Sequence, residues 1–205
     1  QLAELGRENF LRGHNAGFAC GIMLAALTER VPCDDGDAAD AALLRAECKA
    51  VKHPEEALRD LEMFQGDPRT HTSDFIFVRG LATYYTGANG PKSAMTLLKH
   101  VIECDPDHER AKLLFKQARS LEQHRNAGNT AYQERRWREA IQSYTDALAV
   151  DPTYVKMQGM LLGNRSAALL EVNELQKALS DVDGAIAAGN ATAKIYARRS
   201  KIHEK

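Results

Sequence analysis

Apolar residues recur along most of the chain at a spacing close to the helical period, and the polar residues between them form the opposite faces. Pro and Gly fall mostly between these segments rather than inside them. The segments themselves are rich in Ala, Leu, Glu, Arg and Lys, which favour the interior of a helix. This pattern predicts an all-α protein.

A pattern of small residues repeats along the chain with a period of about 34 residues. It is clearest in AGNTAYQERRWREAIQSYTDALAVDPT, where Gly128 and Ala140 are predicted to let two helices approach closely. Ala147 would let the next hairpin dock, and Pro152 would end the second helix because it cannot donate a backbone hydrogen bond. The same frame recurs, more loosely towards the N-terminus, at Ala178 and Ala185, at Ala94 and Val101 before Asp105-Pro106, and at Ala57 before Asp67-Pro68.

This repeat resembles the tetratricopeptide repeat (TPR), and the resemblance implies a superhelix of antiparallel helical hairpins with a concave groove lined by first helices. The first unit, near residues 20–32, matches only in its length and its terminal proline. The segment DHERAKLLFKQARS contains no helix breaker, so we expect one long helix over roughly residues 107–133. We therefore predict TPR-type repeats in residues 1–107 and a second module in residues 108–205, joined through this helix.

Five polar residues of the second module are predicted to face its groove. Arg125 and Asn129 are spaced i, i+4 on one first helix, so their side chains point the same way. Lys194 and Arg198 have the same spacing two repeats later, and Asn164 lies on the first helix between them. Cations and oriented amides bind carboxylates through strong charge-assisted bonds, so this set predicts a site for an anionic ligand.

The set resembles the two-carboxylate clamp of TPR co-chaperones, which holds the C-terminal Glu-Glu-Val-Asp of the seventy- and ninety-kilodalton heat-shock chaperones. The resemblance implies that Arg125, Asn129 and Asn164 hold the terminal main-chain carboxylate. It also implies that Lys194 and Arg198 hold the side chain of the final Asp. Arg125 stands where Lys is usual, which keeps the charge but alters the geometry.

The N-terminal repeats do not share this set. The same spacings, carried to the first module, fall on Leu5, Asn9, Leu44, Asp74 and Val78. Only Asn9 matches, and Asp74 has the opposite charge. We therefore expect the clamp in residues 108–205 alone.

Three further segments resemble one branch of this family, the cytosolic co-chaperones with several TPR units followed by a J domain. They are VRGLATYYTG, DPDHERAK and IYARRSK. No His-Pro-Asp tripeptide of a J domain occurs, since His53-Pro54 is followed by Glu55. We therefore expect the chain to be part of a longer protein, with a J domain beyond Lys205 and with additional helix there that raises the melting temperature.

Composition narrows the classes of function. Lys and Arg number 27 against 28 Asp and Glu, for a net charge of -1, so we expect binding neither to nucleic acid nor to a membrane. Four scattered cysteines without a CxxC pair are interpreted as reduced, mostly buried thiols of a cytoplasmic protein, with the nucleus as a second location. No histidine has metal-ligand spacing and no catalytic motif is present, so we expect no enzyme activity, no metal and no cofactor. We expect a monomer.

A second interpretation stays open, in which the chain is a scaffold that binds another acidic ligand, an internal peptide or a folded partner. Any TPR surface exposes some Lys and Arg as solvated charge, so only the five residues together favour the clamp. The aromatic side chains are expected to pack within and between hairpins rather than to bind a ligand; they are Trp137, Tyr132, Tyr144 and Tyr196.

Overall fold

The computed structural model describes residues 35–64 and 68–204. These residues contain nine α-helices, one 3-10 turn and no strand, which confirms the predicted all-α fold. The helices are α1 (Asp35–Lys49), α2 (Pro54–Glu62), α3 (Ser73–Tyr84), α4 (Gly90–Cys104), α5 (Glu109–Gln133), α6 (Trp137–Val150), α7 (Val155–Glu171), α8 (Leu175–Ala187) and α9 (Ala193–His203), with the 3-10 turn at Pro68–His71. The repeat predicted near residues 20–32, together with Leu5 and Asn9, lies outside the described residues.

The chain divides into two compact units, residues 1–83 and 84–205. In the described part of the first unit, α1 packs against α2. Ala57, one of the predicted small positions, has no exposed surface, and Lys49 Nζ donates to Asp60 Oδ2 across the hairpin at 2.8 Å. The predicted boundary at residue 107 falls inside the second unit, and the separate roles of residues 1–107 and 108–205 stay a prediction.

In the second unit, each helix from α4 to α9 packs against the next helix along the chain. The repeated small residues lie at these contacts, because Ala140, Ala147, Ala178 and Ala185 all have 0% exposed surface. In addition, α5 contacts α7 and α7 contacts α9, so the three first helices of successive hairpins lie side by side. The helical-hairpin arrangement predicted from the repeat is therefore present in this unit.

The turns inside the α5–α6 and α7–α8 hairpins share one geometry. Arg135 and Asn173 have positive φ angles of 61° and 60°, directly after α5 and α7. In each case the next amide donates back to a carbonyl in the last turn of the helix: Arg136 N to Ala131 O, and Glu174 N to Leu169 O. A C-terminal cap with a residue in the left-handed conformation supplies donors to carbonyls that have no partner at the helix end. It also reverses the direction of the chain.

The predicted long helix is present as α5, which runs without interruption from Glu109 to Gln133. Two predictions are wrong for single residues, while Cys20 and Cys33 lie outside the described residues. Cys104 is exposed at the end of α4 rather than buried, because it lies on the outer face of the helix, next to the ring of His100. Tyr196 is 47% exposed rather than packed, because the neighbouring Ile195 faces the core instead.

Candidate functional site

A groove runs along the three first helices of the second unit. It consists of three adjoining cavities of about 300, 260 and 240 Å³. Asn129, Asn164, Lys194 and Arg198 line both of the first two cavities, and Tyr132, Ala167 and Arg198 line both of the last two. Residues from α5, α7 and α9 therefore form one continuous surface.

The structure brings all five predicted residues together in the first cavity. Arg125 and Asn129 reach it from α5, Asn164 from α7, and Lys194 and Arg198 from α9. No Asp or Glu lines the first two cavities among the residues that the structure describes. Whether these residues bind a ligand stays a prediction.

Arg198 is a half-buried cation with only neutral acceptors. Its Nη1 donates to Gly163 O and, at 3.1 Å, to Ser166 Oγ. Burial lowers the pKa of its guanidinium from the ordinary value, because the charged form has lost part of its hydration. A carboxylate in the groove would offset that cost.

Lys194 is exposed, and it makes no hydrogen bond or ion pair with any residue in the described ranges. It lies one helical turn before Arg198 on α9, so the two positive charges face the same cavity. Their charge is not neutralised by any carboxylate lining the first two cavities, which makes this side of the groove attractive to an anion.

The two asparagines form a linked pair of amides. Asn129 Oδ1 accepts a hydrogen bond from Tyr144 Oη at 2.8 Å and a longer one from Asn164 Nδ2 at 3.4 Å. Because the oxygen of Asn129 is engaged, its Nδ2 remains to donate to a ligand. Burial raises the pKa of Tyr144 to about 12, so its hydroxyl stays protonated and continues to donate at neutral pH.

Arg125 differs from the other four because its guanidinium already has partners within the chain. Its Nη2 donates to Glu122 Oε2 at 2.8 Å, and its Nη1 donates to the carbonyl of Ala88. Glu122 is 7% exposed, so the charge of Arg125 is paired with a buried carboxylate. The structure therefore places Arg125 at the groove but commits two of its donors elsewhere.

Other lining residues were not singled out from the sequence. Asn190, whose Nδ2 donates to Gly159 O at 3.0 Å, and Thr192 line the first cavity from the connection before α9. Ala88 lines it from the connection before α4. A lone Ala or Asn in a loop carries no periodic signal, so only the fold shows that these residues reach the groove.

The described residues offer neither a metal site nor a membrane span. No group of three or more His, Cys, Asp or Glu side chains could hold a metal ion within residues 35–64 and 68–204. None of the helices described in the structure is long and apolar enough to cross a membrane.

Among curated proteins, the chain is similar to the DnaJ homolog subfamily C member 7 homolog of Schizosaccharomyces pombe. The identity is 36% over 129 residues, which cover 63% of this chain and 27% of that protein. DnaJ homolog subfamily C member 7 of Mus musculus is 28% identical over 163 residues, which cover 78% of this chain and 32% of the mouse protein. The chain is related to these DnaJ homologues. The relationship confirms the predicted resemblance to TPR co-chaperones of the DnaJ type.

The chain spans about a third or less of the length of these relatives. No protein-family model matches it. Among solved structures, the chain is similar to the TPR domain of P58(IPK). The alignment covers 99% of this chain and 64% of the P58(IPK) chain, with 15% identity and a TM-score of 0.49. A second similar structure is the TPR2AB domain of yeast Sti1, solved in a complex with pHSP90. The alignment covers 96% of this chain and 80% of the Sti1 chain, with 17% identity and a TM-score of 0.36.

Proposed function

We propose that the groove of residues 84–205 binds the C-terminal Glu-Glu-Val-Asp tail of cytosolic seventy- or ninety-kilodalton heat-shock chaperones. The observation that carries this proposal is the charge of the groove. Lys194 and Arg198 face the first two cavities without a carboxylate partner, and no acidic residue described by the structure lines them.

The final residue of such a tail presents two carboxylates, one on its side chain and one on its main chain. Two neighbouring cations and two amide groups match these charges and acceptors. Lys194 and Arg198 are proposed to hold the Asp side chain, while Asn129 and Asn164 donate to the main-chain carboxylate. Because Asn129 Oδ1 is held by Tyr144, its donor group is oriented before the ligand arrives, which lowers the entropy cost of binding.

For the whole protein, we propose the role of a cytoplasmic, monomeric co-chaperone adaptor that links a chaperone tail to a J domain elsewhere in the molecule. The similarity to DnaJ homologues supports this role. We propose that the second and third cavities contact the tail residues that precede the final Asp. The preference between the two chaperones then depends on the groove residues that line these two cavities.

Titration calorimetry with two peptides tests the proposal. One peptide ends in Glu-Glu-Val-Asp with a free carboxylate, and the other has the same sequence with a terminal amide. The amide removes one charge from the bound end, so we expect about tenfold or more weaker binding, since charge-assisted bonds are worth about 1.5 to 3 kcal/mol. Equal affinity for both peptides would reject the clamp and favour a scaffold that binds internal segments.

A further inference from the structure

A short connection of the chain lines the groove at one end. Going along α5 from Arg125 to Tyr132, the lining passes from the first cavity to the third. The lining residues of α7 and α9 advance in the same direction, and the far end is lined by Glu171 and Lys201. Ala88, from the connection formed by residues 85–89, lines only the first cavity and so marks the opposite end.

Arg125 fastens this connection to α5. One terminal nitrogen of its guanidinium donates to the carbonyl of Ala88, while the other donates to Glu122 at 2.8 Å. The planar guanidinium has fixed donor directions, so pairing with the buried carboxylate of Glu122 also orients the donor that reaches Ala88. Arg125 therefore has a structural task at the place where a ligand-binding role was predicted.

A second attachment lies next to the first. The hydroxyl of Tyr154 donates to Gly87 O at 2.6 Å and accepts from Gly87 N at 2.9 Å, so both polar groups of one peptide residue are satisfied. The hydroxyl of Tyr85 donates to Asp151 Oδ2 at 3.2 Å. The rings of Tyr84, Tyr85 and Tyr154 pack with centroid distances of 4.8 to 5.2 Å. Gly87 has φ +145°, which a residue with a Cβ rarely adopts.

We propose that residues 85–89 form a fixed end wall of the groove, and that Arg125 is a positioning residue that holds this wall rather than a ligand for the terminal carboxylate. A peptide chain that continued past the clamp at this end would run into Ala88. The groove would then select a free C-terminus by excluded volume as well as by charge. This inference rests on the proposed function, because it concerns the end of the same ligand.

Three peptides distinguish the effect of the wall on affinity from the effect of the clamp. They are the free-carboxylate tail, its terminal amide, and the same tail extended by Gly-Gly-amide. The amide and the extended peptide both lack the carboxylate at the clamp, so they differ only in bulk at the wall. For the unaltered chain we expect the extended peptide to bind about tenfold or more weakly than the amide. Removing the wall's attachments should reduce this ratio to about threefold or less.

Two variants remove one attachment each. Arg125→Ala deletes the donor to Ala88, and Tyr154→Phe deletes only the hydroxyl that binds Gly87, leaving Arg125 in place. Both variants should bring the affinities for the amidated and the extended peptide closer together. The ratio of the affinities for the free and the amidated peptide should stay within about threefold of its value in the unaltered chain. Arg136→Ala is the matched control, since Arg136 also pairs with a Glu three residues away but is exposed and lies outside the groove. Circular dichroism checks that each variant is folded.

The outcomes distinguish the two proposals. If Arg125→Ala lowers the free-to-amide ratio and Tyr154→Phe changes nothing, Arg125 binds the carboxylate and the wall inference is wrong. If the unaltered chain binds the amide and the extended peptide equally but prefers the free tail, the wall is wrong and the clamp stands. If the unaltered chain binds none of the peptides, the proposed function fails and the wall inference fails with it.

Discussion

Gly128 on α5 lies directly against the ring of Tyr144 on α6. A Cβ built on Gly128 would be 2.6 Å from Tyr144 Cε1, closer than any side-chain carbon can approach. The contact matters beyond packing, because the same Tyr144 donates to Asn129 Oδ1 at 2.8 Å. The small residue that lets the hairpin close therefore also sets the position of a groove amide.

Gly128→Ala should destabilise the second unit. Helix propensity alone would favour Ala by about 1 kcal/mol, but forcing a methyl group against a buried ring costs about 1 to 3 kcal/mol. We expect a lower urea midpoint. Gly184→Ala is the matched control: it lies within α8, where the added Cβ would be 3.1 Å from the flexible end of Leu162. A Gly128→Ala chain as stable as the Gly184→Ala chain would contradict the prediction.

Tyr144→Phe should weaken peptide binding more than it weakens the fold. The variant keeps the ring against Gly128 but removes the donor to Asn129, so the amide is free to rotate. A hydrogen bond of this kind is worth about 1 kcal/mol, and we expect about three- to tenfold lower affinity for the free-carboxylate tail. Tyr196→Phe removes an exposed hydroxyl from α9 and should leave the affinity unchanged. Calorimetry measures both.

The sequence predicted those features of the fold that depend on residue type. Gly128, Ala140 and Ala178 are small where helices touch, and a repeated small residue is visible in one sequence. The i, i+4 spacing of Lys194 and Arg198 likewise predicted that both would reach one groove.

The hydrogen bonds that Arg125 makes within the chain could not be predicted in this way. Its partner is the backbone carbonyl of Ala88, which lies 37 residues earlier in the chain. Every residue has a backbone carbonyl, so the amino-acid sequence does not indicate that the carbonyl of Ala88 is the acceptor. The spacing of Arg125 and Asn129 shows that both can reach one cavity, but it does not show that the charge of Arg125 is paired with Glu122.

Breaking the ion pair between Arg165 and Asp181 should destabilise the contact between α7 and α8. The two residues form two parallel hydrogen bonds of 2.7 Å each, and Asp181 is 6% exposed. Asp181→Asn leaves a mostly covered guanidinium without its counter-charge, so we expect a loss of about 2 kcal/mol or more in unfolding free energy. Urea denaturation measures this loss.

Two further variants test the reason for that loss. Glu174→Gln breaks a solvent-exposed pair with Lys177 and should leave the urea midpoint nearly unchanged. Replacing both partners, Arg165→Met with Asp181→Leu, should recover most of the stability because no charge is left unpaired. If the double variant is no more stable than Asp181→Asn, the unpaired charge is not the cause.

The fold should lose stability in alkaline solution as buried tyrosines ionise. Burial raises the pKa of both Tyr85 and Tyr144 from 10.0 to about 12. A phenol with a raised pKa in the folded state stabilises the fold below its unfolded pKa, and this contribution is lost as the pH rises from about 10 to about 12. Tyr144→Phe should show a shallower fall in urea midpoint across this range than the unaltered chain. Parallel curves for the two proteins would contradict the prediction.

Replacing the two groove cations of α9 tests the clamp most directly. Lys194 is exposed and has no partner in the described part of the chain, so Lys194→Ala should leave the urea midpoint unchanged. Each cation is proposed to make a charge-assisted bond worth about 1.5 to 3 kcal/mol, so Lys194→Ala or Arg198→Ala should weaken the free-carboxylate tail about ten- to a hundredfold. Arg198→Ala also removes bonds to Gly163 and Ser166, so its folding is checked by circular dichroism.

Binding of the free-carboxylate tail to the unaltered chain should weaken as the salt concentration rises, because Lys194 is open to solvent. Lys99→Ala, on an exposed face of α4, and Asp74→Ala in the first unit are the controls and should bind as the unaltered chain does. A folded Lys194→Ala or Arg198→Ala chain that binds the tail with unaltered affinity would falsify the clamp, and the scaffold interpretation would take its place.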